Sequence, residues 1–200
     1  MLLLKKETQN LITMKIEFTE SQNQFRSEIR DWFSKNVPSK PLASFDTKEG
    51  FEEHREWEKT LNQGNWSMVT WPTEYGGRAL NLIEWLIFEE EYYRANAPAR
   101  VNQNGVFLLG PTLMEYGTDD QKSKFLSAMA EGDHIWSQGW SEPNAGSDMA
   151  AIRATAVRNN DTFIINGQKT WSSRAAFADW TFGLFRSDPE SERHRGLSFI

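Results

Sequence analysis

Ile152-Arg153-Ala154-Thr155-Ala156-Val157-Arg158-Asn159-Asn160-Asp161-Thr162-Phe163-Ile164-Ile165-Asn166-Gly167 is the stretch that decides the fold. Ile152, Ala154 and Ala156 alternate with Arg153 and Thr155, Asn159-Asn160-Asp161 is a turn-forming cluster, and β-favouring residues return from Thr162 to Asn166. A period of two broken by a turn predicts a β-hairpin. Downstream, residues 169–173, 180–186 and 197–200 read as further strands, with the polar residues 187–196 as an exposed loop. The last strand is followed by no turn or cap, which predicts an unfinished sheet with an open edge there.

Upstream of Gly132 the period changes to about 3.6. Thr19 with Gln22 forms a capping box, and Phe25, Ile29, Trp32 and Phe33 follow at helical spacing until Val37-Pro38. A second helix is expected over residues 48–64, with Phe51, His54, Trp57 and Leu61 on one face. A third begins near Asn81 and has apolar residues nearly all round, from Leu82 to Tyr93, as for a helix buried by neighbours at the centre of the core. Residues 101–116 read as a less regular helix interrupted at Gly110-Pro111, and Thr118 with Gln121 opens a last capped helix ending at Gly132. The fold class is therefore α+β: an all-α helical domain over residues 18–132, then a β domain over residues 133–200. Residues 1–17 read as an N-terminal tail without a targeting pattern; Met14 offers a cleaner start than Met1.

Composition narrows the function. The 200 residues carry 28 acidic and 22 basic side chains, a net charge of −6, and no basic run able to neutralise a series of phosphates, which argues against a nucleic-acid partner. The absence of cysteine excludes disulfides, thiolate metal sites and a cysteine nucleophile. No apolar run approaches the roughly 18 residues of a membrane span, so a cytoplasmic protein is expected. Nine tryptophans supply flat surface of the kind that packs cores, interfaces or planar ligands.

Four groups of residues could carry chemistry. His54, His134 and His194 lie too far apart for a helical metal pair and are expected in packing or surface roles, with no metal site. Glu89-Glu90-Glu91 and Asp119-Asp120 could supply an acid or base, but such clusters are more commonly a solvated helix face or a first turn. The loop Trp140-Ser141-Glu142-Pro143-Asn144-Ala145-Gly146-Ser147-Asp148 combines a glycine that permits close backbone approach with hydroxyls and amides able to face an anion; it is equally readable as a plain connection. In Asn166-Gly167-Gln168-Lys169-Thr170-Trp171-Ser172-Ser173 an indole is followed two residues later by a hydroxyl, although alone a core Trp is the commoner reading.

Taken together, residues 139–148, residues 165–173 and Ala178-Asp179-Trp180 resemble the acyl-CoA dehydrogenase family, and the likeness extends upstream through residues 71–77, Gly110-Pro111-Thr112-Leu113 and residues 116–122. The resemblance implies a helical N-terminal domain followed by a middle β-barrel-like domain, incomplete here, and a C-terminal helical bundle to which nothing in these residues corresponds. It implies FAD, an acyl-CoA substrate, α,β-dehydrogenation with hydride transfer to the flavin, electron-transfer flavoprotein as electron acceptor, and a homo- or hetero-oligomer. By position, residues 138–141 would lie along the flavin, which places Gln138, Trp140, Ser141 and Gly146 at the cofactor, with Ser141 on its polar edge. Trp171 would pack on the ring, Ser173 would reach toward its N5/O4 side, Ser172 would also lie at the cofactor, and Ser147 would touch the acyl-CoA. The family's catalytic base is a glutamate of the C-terminal bundle, so none is assigned here; the alternative is a non-catalytic flavin- or acyl-CoA-binding subunit that needs a partner chain. Arg174-Ala175-Ala176 departs from the family, standing where a Gly-bearing turn is commoner, as does Trp140, where many members have a smaller residue.

Overall fold

The computed structural model describes residues 17–200; the N-terminal tail expected over residues 1–17, apart from Glu17, and the choice between Met1 and Met14 lie outside the described residues. Five α-helices come first. They are α1 (Glu20–Asn36), α2 (Lys48–Gln63), α3 (Leu82–Arg94), α4 (Gly110–Tyr116) and α5 (Asp119–Ala130). Thr19 and Thr118 each accept from the amide three residues on while Gln22 and Gln121 reach back, as the capping boxes require, and Asn81 with Glu84 forms a third. The irregularity in residues 101–116 is a π-helical turn, Gly105–Leu109, that runs directly into α4 instead of a break at Gly110-Pro111. Pro111 sits in the first turn of α4, where a missing N–H costs little.

Phe33, Trp57, Leu61, Trp66, Phe88 and Tyr92 form one core among α1, α2 and α3. α3 is not buried all round. Ile87, Phe88, Glu91 and Tyr92 face inward, but Leu82 is 69% and Tyr93 73% exposed, because α3 lies against α1 on one side with its other side uncovered among the described residues. Nor are all three glutamates of residues 89–91 solvated. Glu91 is buried and receives Arg26 at 2.6 Å, Arg30 at 2.7 Å and Arg94 at 3.2 Å.

A second core of Trp71, Leu109, Leu126, Met129, Trp136 and Phe182 joins the helices to the sheet. The sheet contains β1 (Trp136–Gly139), β2 (Thr155–Asn159), β3 (Thr162–Asn166), β4 (Trp180–Arg186) and β5 (Leu197–Phe199). β4 is its spine. β1 runs parallel to β4 from Trp136↔Trp180 to Gly139↔Gly183, β5 pairs with it antiparallel from Leu184↔Phe199 to Arg186↔Leu197, and β2 meets it at Thr155↔Arg186. β2 and β3 form the expected hairpin, turning at Asn160 with φ 54°. β5 is paired along β4 on one side and has no second strand partner among the described residues, so it is an edge as expected; β3 is a further, apolar edge, whose Phe163, Ile164 and Ile165 are 43%, 50% and 48% exposed. The loop of residues 187–196 ends in a 3₁₀ turn, Arg193–Gly196.

One buried polar network ties the helices to β1. Arg100 donates from Nε and Nη2 to Glu58 Oε2 at 2.9 and 2.6 Å, and Glu58 Oε1 accepts from the Asn102 amide at 3.1 Å. The Asn102 side chain donates to the carbonyls of Met129 and His134 and accepts from the Trp136 amide at 3.0 Å. Every arm of it is satisfied, which low-dielectric surroundings demand.

Candidate functional site

Residues 169–173 do not form a strand. Lys169 turns inward, and a left-handed backbone at Trp171 (φ 58°) and Arg174 (φ 68°) breaks the alternation a strand needs. The Lys169 ammonium donates to the Leu184 carbonyl at 2.6 Å, the Trp140 carbonyl at 3.2 Å and Glu142 Oε1 at 3.0 Å. Glu142 also accepts from the amides of Arg153 and Ala154, and the Thr170 amide donates to the Ser141 carbonyl at 2.9 Å. The two motifs of the sequence are thus clamped together. Gly167, with φ 146°, lets the hairpin close on Ala154, where a Cβ would stand 2.4 Å from the Ala154 Cβ.

The clamp leaves a particular set of groups facing outward. Trp171 is 87% exposed, which overturns the core reading of its indole. Among the described residues the hydroxyls of Ser141, Ser147, Ser172 and Ser173 make no hydrogen bond, and Thr170 Oγ1 is buried without a partner. A Cβ on Gly146 would meet nothing within 4 Å, so no contact of the chain itself demands glycine there; the open space admits a ligand against the backbone. Uncommitted hydroxyls, an open glycine backbone and a bare indole fit a flat, polar-edged group.

The other named residues sit nearby. β1 ends at Gly139, so Gln138 is half-buried within it, while Trp140 and Ser141 lie just past its end instead of within a strand. Trp140 packs edge-on against Phe182 at 5.7 Å and against Phe199 at 5.8 Å. Those two rings, with Leu109, Trp136 and Trp180, also wall a cleft of about 620 Å³, which includes none of the hydroxyls above. Two of the histidines take packing roles and the third is on the surface: His54 is buried and bonds the Ala99 carbonyl at 2.7 Å, His134 lies against Phe125 and Trp180, and His194 is exposed. No group of three or more His, Asp or Glu among the described residues could hold a metal, and no helix among them is long and apolar enough to cross a membrane.

Glu142, Lys169 and Arg174 are the residues whose importance the sequence reading passed over; the first two stand inside the quoted motifs, separated by 27 positions, and only the fold shows that they meet. Burial alone would raise the Glu142 carboxyl, but the two amides and the Lys169 ammonium outweigh it and hold it below the usual carboxylate range. A depressed carboxylate stabilises the folded state fully above its unfolded value of about 4.3, and loses that contribution as pH falls through its folded value. Acidification below about pH 4 is therefore expected to release the clamp, seen as faster amide exchange at Thr170 and Ala154. Glu142→Gln should show fast exchange there already at pH 7; unchanged protection in that variant would contradict the clamp.

Comparison with known proteins adds the following. Residues 19–133 match the family description "Acyl-CoA dehydrogenase, N-terminal domain", and residues 137–200 match "Acyl-CoA dehydrogenase, middle domain". The acyl-CoA dehydrogenase IpdE1 of Mycolicibacterium smegmatis is 42% identical over 193 residues, covering 88% of this chain and 49% of that protein. Among solved structures, the ChsE4–ChsE5 complex from Mycobacterium tuberculosis is 36% identical with a TM-score of 0.78, over 94% of this chain and 47% of that one. The Tcur3481–Tcur3483 steroid ACAD is 33% identical with a TM-score of 0.79, over 94% and 48%. The chain spans about half the length of the curated relatives it matches.

Proposed function

Because the chain belongs to the acyl-CoA dehydrogenase family, we propose that it forms the helical and middle-domain side of an FAD-dependent α,β-dehydrogenation site for an acyl-CoA thioester. The observation that carries this reading is the clamped pair of motifs, which presents an 87%-exposed indole among uncommitted hydroxyls. Bound here, FAD would supply the acceptor for a hydride from the β-carbon, the counterpart to removal of the α-proton by a base, so that a carbon–carbon double bond would form. Trp171 holds the ring by contact area. Ser141, Ser172 and Ser173 hydrogen-bond its polar edge, where preorganised donors act best on charge that develops during reaction. Gln138, Trp140 and Gly146 shape the backbone beside it, and Ser147 meets the thioester's CoA portion. Glu142 and Lys169 touch neither ligand; they position the segments that do. Electron-transfer flavoprotein serves as the electron acceptor.

The two solved relatives named above, ChsE4–ChsE5 and Tcur3481–Tcur3483, each bear a two-component name, which supports a heteromeric reading in which a partner chain completes the site. The test is titration with FAD. Trp171→Ala is expected to weaken retention by about 1–3 kcal/mol, as for other large aromatic truncations at ligand sites. Ser141→Ala removes one hydrogen bond to an edge that gains charge on reduction, and its larger effect should fall on the flavin midpoint potential. Equal FAD affinity in Trp171→Ala and the parent would mean that the indole is not at the cofactor.

A further inference from the structure

Arg174 is a cation with no ion-pair partner. Its side chain is half-buried, and among the described residues no carboxylate lies within ion-pair distance of it; Glu58 and Asp46 act on it only from farther away. Its Nη1 and Nη2 both reach a single acceptor, the Gln103 amide oxygen, at 3.4 Å, and its Nε is buried with no partner at all. The guanidinium carbon lies over the Phe45 ring at 5.1 Å from its centre. Burial lowers its affinity for its own proton, the opposite of what a paired arginine such as Arg26 shows. Its backbone is held left-handed at φ 68°, a conformation that favours glycine or asparagine over arginine.

An arginine kept at such a position, with donors unspent, is an arrangement built for a ligand. The planar fork matches two oxygens of one oxyanion, and the desolvated surroundings strengthen that bond. Position agrees, since Arg174 follows Ser173 directly and reaches back to Gln103, which lines a small cavity with Tyr93, Phe107 and Glu89. We propose that Arg174 is an oxyanion-recognition residue of the candidate site, binding either a carboxylate at the far end of the acyl group or a phosphate of the nucleotide-bearing ligands. It rests on the dehydrogenase reading and extends it to the kind of substrate or cofactor group the site selects.

The test is equilibrium binding of glutaryl-CoA, butyryl-CoA and FAD to the full chain and to Arg174→Asn, read by quenching of tryptophan fluorescence. Asparagine tolerates the left-handed backbone, so the comparison isolates the fork. A loss of about ten- to a hundredfold for glutaryl-CoA, with butyryl-CoA unchanged, identifies an acyl carboxylate; a similar loss for FAD, or for both thioesters, identifies a phosphate. Identical binding of all three by parent and variant overturns the proposal while leaving the dehydrogenase reading in place. Failure of the parent to bind any of them, both alone and with a partner chain that completes the site, overturns that reading and the proposal with it. Phenylglyoxal labelling of the unaltered chain, resolved to Arg174 by mass spectrometry, gives the answer without a variant. Saturating ligand should block the label, and undiminished labelling would refute the assignment.

Discussion

The 200-residue chain, supplied with FAD, an acyl-CoA thioester and an artificial electron acceptor, is expected to show no turnover above a flavin-only blank. The reason is the state of its carboxylates. Glu142 is committed to Lys169 and two backbone amides, and Asp148, the other acid of the loop, pairs with Arg193 at 3.2 Å. The remaining groups of the site are hydroxyls, an indole, amides and the Arg174 guanidinium, none of which removes an α-proton at neutral pH. A positioned general base contributes typically 10²- to 10⁴-fold, so its absence alone takes the rate toward background. Turnover above the blank would show that a base lies among these residues. Addition of a partner chain that carries a suitably placed glutamate should give turnover, and binding of FAD or acyl-CoA without turnover even then would favour the non-catalytic subunit.

Glu58→Gln is expected to destabilise the protein by about 3–5 kcal/mol, the usual cost of stranding one member of a buried ion pair. Against a total stability of about 5–15 kcal/mol that is a large share. The neutral amide keeps one acceptor oxygen, enough for Arg100 or for the Asn102 amide but not both, so one of these donors would face an NH2 and the geometry that holds Asn102 would loosen. Because Asn102 holds both the end of α5 and the Trp136 amide, probes in the helices and in the sheet should lose stability together. Urea unfolding followed by exchange at Leu61 and at Ser137 measures this. A loss confined to the helices would mean that the network does not couple the two regions. Replacing both partners, Glu58→Met with Arg100→Leu, should recover much of the loss, since an apolar pair leaves no stranded charge.

Much of the architecture was legible because its signals are local. The capping boxes at Thr19 and Thr118 and the Asn160 turn each depend on residues within four positions of one another, and each is present. The site motifs were legible as words, since residues 139–148 and 165–173 do come together. Their arrangement was not. A two-residue period predicted a strand at residues 169–173 because periodicity carries no information on the Lys169 ammonium's three distant acceptors or on the positive φ at Trp171. Glu58 and Arg100 are 42 positions apart, and Glu91 meets Arg26 across 65. A run of glutamates therefore looked solvated where one member is the anion of a buried cluster. The apolar ring on α3 was read as total burial, whereas half of it faces outward.

The central place of β4 has a consequence for the order in which the chain can assemble as it is synthesised. β1 is complete at Gly139, but its parallel partner begins only at Trp180, and β5 and the end of β2 rest on β4 as well. Synthesis proceeds from the N-terminus, and closing a long loop costs entropy before any pairing repays it. The helices, whose first core of Phe33, Trp57, Leu61, Trp66, Phe88 and Tyr92 is complete well before Ala130, can thus consolidate first and hold β1 by its Trp136 amide while some forty residues emerge. The helical half acts as the jig on which the sheet is later laid, and β4 is the piece whose arrival turns waiting strands into a sheet.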